Sequence, residues 1–345
     1  MDLPPGTQRD PSAAARTDRA LGALYGLAVG DALGMPTQTL SRRRVAELFG
    51  DLDRLHAGPA ENEVSAGLPA GHVTDDTDQA VLLGELLVAG RGTVDPDALA
   101  RRLLAWQRRM VDAGSADLLG PSTVRALRLV SEGAPAGTTG RWGDTNGAAM
   151  RVAPLGVAVA SRPLDRLCAA VADVDRLTHD TTVANAGACA VAAVVSAGVE
   201  GARWDDALAV GVRAAATGAT LGHHVAGADV GRRIGWAVEL VRGATDDGTL
   251  DLVDGLVGTS LATQESVTAA FAVAAAAGGD PWRAVRLAAR LGGDSDTIAA
   301  MAGAMAGACA GLRALPVAVV EEVRRVNDLH LEGLAAGLLA LRDDR

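Results

Sequence analysis

The 345-residue chain contains no lysine: all 32 of its basic residues are arginine, set against 42 acidic ones, for a formal net charge of −10. Without lysine, Schiff-base catalysis and the lysine-bearing phosphate loop are excluded. Aromatics are almost as scarce, at five Trp, two Phe and one Tyr. That leaves little for stacking nucleobases, and the negative balance opposes binding to a phosphate backbone, so nucleic acid is not an expected partner. The three cysteines, Cys168, Cys189 and Cys309, are odd in number and lack metal-ligand spacing. They read as small buried apolar residues in a reducing compartment, with the cytoplasm as the expected location. No basic stretch followed by an apolar run opens the sequence, so no secretory signal is expected. The most apolar runs, Val183 to Val199 and Ile298 to Leu312, consist largely of Ala and Gly and are short for a ~20-residue membrane span. Buried helices fit them better, and no membrane partner is expected.

What is present is a hydrophobic fraction of 49% whose apolar residues recur at helical spacing, with almost no alternating runs rich in Val, Ile and Thr. The pattern predicts an all-α protein. Expected helices include Arg19 to Val29, Asp78 to Ala89, Pro96 to Val111, Thr181 to Gly198 and Thr297 to Leu312. The Pro, Ser and Asp content of residues 1–18 reads as a loose tail ahead of one domain over residues 19–345. The Gly- and Pro-rich stretch from Gly133 to Ala148 either shapes a site or simply connects two helices.

Chemistry concentrates in a few polar clusters. In Thr74-Asp75-Asp76-Thr77-Asp78, three carboxylates crowd the start of an apolar helix. A cap needs one of them, with Asp76 and Gln79 as a capping box; three suggest a cation. Gly292-Gly293-Asp294-Ser295-Asp296-Thr297 repeats the arrangement before a second apolar helix. Oxygen-only ligands without His or Cys point to Mg²⁺ or Mn²⁺ rather than Zn²⁺. Gly303, Gly307 and Gly311, spaced by four, predict close packing of that second helix against a neighbour. Asp31 is the single charge in Gly26 to Gly34 and requires a donor or a metal nearby if buried; otherwise it lies exposed in a helix-ending turn. His179, just before a helix, is a structural residue or a substrate contact.

Taken in order, Gly30-Asp31-Ala32-Leu33-Gly34, Thr74-Asp75-Asp76-Thr77, Asn146-Gly147-Ala148-Ala149-Met150-Arg151, Thr178-His179 and Gly293-Asp294-Ser295-Asp296-Thr297-Ile298-Ala299-Ala300 resemble the ADP-ribosylglycohydrolase family. The resemblance implies a compact single-domain orthogonal bundle of helices and a centre of two divalent ions, Mg²⁺ or Mn²⁺. It further implies cleavage of the glycosidic bond between ADP-ribose, or a related ribosyl group, and a small-molecule or protein acceptor. By the family pattern Thr74, Asp75 and Asp76 hold one ion, Asp294 and Thr297 the other, and Asp296 bridges. Asp31 resembles the acid beside that centre, and Asp117 a carboxylate near the ribose, with Asp112 as its competitor. Asn146, Gly147, Ala148 and Met150 resemble the cradle for ribose and diphosphate, and His179 a substrate contact.

Two positions depart from the family. Gln38 stands where many members carry a Glu; it can bind a metal or donate a hydrogen bond but cannot take a proton as a base. Asp144 stands about where others place a Tyr against adenine, with Trp142 a possible replacement. Such chemistry needs no His base, because cleavage at an anomeric carbon passes through an oxocarbenium-like state that bound cations and placed carboxylates assist. Two alternatives compete with hydrolysis at this centre. One is a catalytically silent, ADP-ribose-binding or crystallin-like protein of the same fold, which Gln38 favours. The other is a phosphohydrolase using Asp294-Ser295-Asp296-Thr297, which would need a β-strand before Gly292.

Overall fold

The computed structural model describes residues 11–112, 114, 115 and 119–343. Among these residues there is no β-strand, only isolated bridges at Thr145–Ala262 and Thr181–His223, and helices succeed one another from Pro11 to Asp343. The protein is an all-α domain, and no strand leads into Gly292. The first helix runs Pro11–Gly34, so residues 11–18 are helical where composition suggests a tail; residues 1–10 lie outside the described residues. Proline is tolerated in a first helical turn because its missing N–H would be unpaired there and its fixed φ suits the helix. At its other end the helix continues past Val29, which places Asp31 inside it and fully buried.

This helix packs backbone to backbone against Ser295–Ala310. A Cβ added to Gly26 would sit 2.2 Å from the Gly303 carbonyl oxygen, one on Gly30 would sit 2.1 Å from that of Ala299, and one on Gly307 would sit 2.0 Å from that of Gly22. The four-residue glycine spacing is matched on both helices, and that register brings Asp31 and the Asp294–Asp296 turn to the same end of the pair. Gly311 has a different job: with φ of +89° it ends the second helix.

Of the residues in Thr182–Val199, 94% are buried, as expected for a helix that is small and apolar on every face. A satellite core of Leu99, Leu103, Trp106, Leu127 and Leu177 seats helices Pro96–Asp112 and Pro121–Ser131. Trp106 Nε1 donates to Asp78 Oδ2 at 2.6 Å, which ties that core to the start of the acidic helix. Near the other end of the chain, buried Arg342 donates to the carbonyls of Gly156 and Val157 at 2.9 and 2.7 Å and to Glu200 at 2.7 Å, locking helix Glu332–Asp343 onto the core.

Candidate active site

The acidic segment opens helix Asp75–Ala89, yet its N-cap residue Thr74 makes no side-chain capping bond. The cap comes from another helix. Asp31 accepts from the backbone N–H and hydroxyl of both Thr74 and Thr77, at 2.5–3.1 Å. Asp31 is therefore the group that satisfies this helix start. No capping box forms between Asp76 and Gln79; Gln79 Nε2 donates instead to Asp75 Oδ2 at 2.6 Å. The second acidic helix likewise has Asp294 at its N-cap without a side-chain capping bond. Capping accounts for neither Asp76 nor Asp294.

The two helix starts meet at Asp76. Its Oδ2 accepts from Thr74 Oγ1 at 3.3 Å and Thr297 Oγ1 at 3.2 Å, while Oδ1 is buried with no hydrogen-bond partner. Burial, followed by the charges of Asp296, Asp31, Asp75 and Asp294, pushes the Asp76 carboxyl well above the usual range. Burial also lifts Asp294 to about 6 against the bond donated by Asn146, and Asp31 to about 6 against its threonine donors.

Beside these acids lies a cavity of about 240 Å³ lined by Gln38, Asp75, Asp294, Asp296 and Thr297, and also by Thr145, Asn146, Gly147, Met150 and His179. Gln38 is held there by its loop. Thr39 N donates to Gly293 O at 2.6 Å, Gly293 N donates to Leu40 O at 2.9 Å, and Asn62 Nδ2 donates to Gln38 O at 2.7 Å. The Gln38 Nε2 amide is buried without a hydrogen-bond partner. Asn146 donates to Ser266 Oγ at 2.9 Å and to Asp294 Oδ2, bridging the glycine-rich segment to the second acidic turn.

That segment shapes the site. Gly140 N donates to Arg176 O at 3.0 Å, Thr181 Oγ1 donates to Gly143 O at 2.7 Å, and a Cβ on Gly143 would sit 2.0 Å from Thr178 O. Gly147 is required by the imidazole, because its Cβ would lie 2.8 Å from His179 Cε1. Burial, and then the Arg151 charge, hold His179 well below the ordinary histidine range, so the ring is neutral at pH 7.

The structure thus brings nine of the sequence-selected residues to one cavity. It sets four others back from the lining: Asp31, Thr74 and Asp76, which are buried beneath it, and Ala148, whose side chain joins the hydrophobic core. Asp31 is spoken for by its threonine donors and does not face the cavity as a catalytic acid. Asp117 lies outside the described residues. Sequence reasoning named Arg151 only as the end of a motif and Gln79 only as part of a cap, and gave neither a role in the site; both are buried and hydrogen-bonded to each other at 3.0 Å. Arg151 is the lone charge between Gly147 and Val159, the same signal that singled out Asp31.

Asp175 is a further buried acid beside Arg151. Burial raises its carboxyl to about 8, against the pull of Arg151, and its Oδ2 has no hydrogen-bond partner. A folded-state value above the unfolded one means that the folded chain keeps a proton the unfolded chain has released. This contribution to stability is complete below about pH 4 and lost as pH rises through 8. Asp175→Asn removes it. Relative to wild type, the variant should therefore gain stability from about pH 5 to about pH 8, at up to about 1.4 kcal/mol per pH unit, read from urea midpoints. Parallel pH curves for the two proteins would show that Asp175 is ionised in the fold.

The sequence pattern of the ADP-ribosylglycohydrolase family matches residues 12–345. The chain belongs to the ADP-ribosylglycohydrolase family. An Escherichia coli relative, uncharacterized protein YegU, is 38% identical over 334 residues, which span 96% of this chain and 99% of that one. ADP-ribosyl-(dinitrogen reductase) glycohydrolase of Rhodospirillum rubrum is 32% identical over 170 residues, 49% of this chain and 54% of its own length. A solved structure described as an ADP-ribosylglycohydrolase-related protein complex matches with a TM-score of 0.64 at 31% identity, covering 96% of this chain and 99% of that chain.

ADP-ribosylglycohydrolases are generally metal-dependent, and the residues can be tested for that. Among the described residues, no three His, Cys, Asp or Glu side chains are drawn up as a ready ligand set. The donors nevertheless suit a hard cation. They are all oxygens, Thr74, Asp76, Asp296 and Thr297 are buried with Asp75 and Asp294 half-buried beside them, the acids' charges repel, and Asp76 Oδ1 has no proton donor to satisfy it. A divalent ion would relieve both the repulsion and the orphaned oxygen.

Proposed function

We propose that this cavity hydrolyses the glycosidic bond between ADP-ribose, or a related ribosyl group, and its acceptor, with Mg²⁺ or Mn²⁺ bound at the acidic helix starts. The observation that carries the reading is the convergence of two Asp/Thr helix starts on Asp76, with an unpartnered buried oxygen, beside a cavity lined by Asn146 and a neutral His179. Thr74, Asp75 and Asp76 would hold one ion, Asp294 and Thr297 the other, and Asp296 would lie between them. When bound, such ions orient ribose hydroxyls and activate water. Asp75 and Asp296 line the cavity and place negative charge beside the site of an oxocarbenium-like state. Asn146 holds Asp294 in place, and the Gln38 amide offers a donor to an oxygen of the substrate or its acceptor.

The test is to offer ADP-ribosyl-arginine, ADP-ribosyl-serine and simple ribosides with Mg²⁺ or Mn²⁺ and to identify products by mass spectrometry. Release of ADP-ribose or ribose that depends on metal and stops in chelator is the expected result. Gln38 favours a second reading, a silent binding protein, because general-base help is worth ~10²–10⁴ in rate and an amide supplies none. If the native protein binds ADP-ribose without hydrolysing any of these compounds while Gln38→Glu hydrolyses them, the binding reading replaces the enzymatic one. Failure of both proteins to bind ADP-ribose would remove the substrate assignment.

A further inference from the structure

Arg151 does not line the cavity and is 1% exposed, yet it governs hydrogen-bond direction around it. Its Nη1 donates to Gln79 Oε1 at 3.0 Å and its Nη2 to Thr178 Oγ1 at 2.5 Å. A guanidinium has no acceptor, so both recipients must accept, and each is left one way to continue. Gln79, accepting through Oε1, turns its amide nitrogen to Asp75. Thr178, accepting from Arg151, has a single proton to give, and His179 Nδ1 lies 2.8 Å away.

With Nδ1 as acceptor, the neutral imidazole carries its proton on Nε2, which donates to Thr145 Oγ1 at 3.1 Å. Thr145 then gives its own proton to Ser122 Oγ at 2.9 Å. Along this run Thr178 and Thr145 each accept once and donate once. The opposite direction would have Thr178 accept from both Arg151 and Nδ1, stranding its proton where Thr178 and His179 are 0% exposed. A stranded buried donor carries a desolvation penalty that the first direction avoids.

We propose that Arg151 is a positioning residue that holds His179 as the Nε2–H tautomer through Thr178. Thr145 thereby presents its remaining lone pair to the cavity. The lining at Thr145 meets the substrate as an acceptor, suited to a sugar hydroxyl and unsuited to a carboxylate or phosphate oxygen. His179 acts as a donor that orients Thr145 and not as a base. The hydroxyl specificity rests on the ribosyl reading above; the tautomer does not, and it is measured without substrate.

The experiment is nitrogen NMR on the full chain carrying ¹⁵N-labelled histidine, with the His179 signals identified by their absence from His179→Gln. In wild type, Nε2 should be the protonated nitrogen and Nδ1 the bare acceptor. Thr178→Val leaves the buried guanidinium in place but removes the hydroxyl that passes its direction on, and should abolish the exclusive Nε2–H form; Thr178→Ser should restore it. A wild-type ring protonated on Nδ1 overturns the proposal, as does a Thr178→Val ring that keeps the wild-type tautomer. Rescue by Ser separates positioning from a packing defect, since Ser keeps the hydroxyl and lacks the methyl.

Discussion

Asp76→Asn should lower turnover of an ADP-ribosyl substrate by ~10²–10³-fold or more and at the same time raise the melting temperature of the metal-free protein. The two effects have one cause. Asp76 is fully buried among four other carboxylates, and its Oδ1 has no partner. In the absence of a cation the site is therefore a local liability to the fold. An amide of the same shape can still accept from Thr74 and Thr297 through Oδ1 while pointing N–H groups at the neighbouring acids. Replacing a carboxyl that the fold can keep only at the cost of repulsion or of an uptaken proton should raise stability by ~1–2 kcal/mol, or several degrees in melting temperature. In saturating Mn²⁺ the order should reverse, because a ligand at a hundred times its Kd stabilises the wild type by about 2.7 kcal/mol and the variant loses that gain. Paired melting curves in chelator and in Mn²⁺ make the comparison. An Asp76→Asn protein that melts lower than wild type in chelator, or that turns over normally, would remove Asp76 from the centre of the site.

Gly303→Ala should be strongly destabilising despite the small size of the change. On an exposed helix the change stabilises by about 1 kcal/mol through propensity. Here the new Cβ would sit 2.1 Å from the Gly26 carbonyl oxygen, and that oxygen belongs to backbone that cannot rotate away. The helices must separate or slide, with an expected loss of about 3 kcal/mol or more. Gly333→Ala is the control: it lies in helix Glu332–Asp343 with nothing within 4 Å of its added Cβ, and it should be neutral or mildly stabilising. Equal urea midpoints for Gly303→Ala and wild type would show that the two helices do not touch through their backbones.

The sequence carries much of this site openly, because its strongest signals are local. Three acids at a helix start, and the Asp-Ser-Asp-Thr turn behind two glycines, are visible without any contact information, and both lie at helix starts in the structure. The division of labour among the acids is not visible. Which of them caps a helix depends on Asp31 reaching Thr74 and Thr77 across the core, and which is left unpartnered depends on Thr297 arriving beside Asp76. Nothing in the spacing of residues 31, 76 and 297 encodes that meeting except the glycine stripe, which shows that the helix bearing Gly303 packs closely but not against which partner. The role of Arg151 is hidden for a related reason: an arginine in a Gly- and Ala-rich segment has no local partner, and its role is defined wholly by Gln79 and Thr178. The helical start at Pro11 was hidden because proline and serine serve tails and helix starts alike.

The pairing of Pro11–Gly34 with Ser295–Ala310 also sets a timetable. A ribosome that has completed the first helix must add roughly 260 residues before the second begins. At ~5–20 residues per second that is a wait of ~13–50 s. Throughout it, the glycine-lined face of the first helix has no native partner, and a contact this distant in sequence is among the slowest kinds to form. The nascent chain is thus most vulnerable to misassociation along the surface that later becomes its centre. Because Asp294 and Asp296 arrive with the late helix, a half-made chain holds only half of the acidic cluster, and the full concentration of negative charge appears only when the fold that must contain it is already closing.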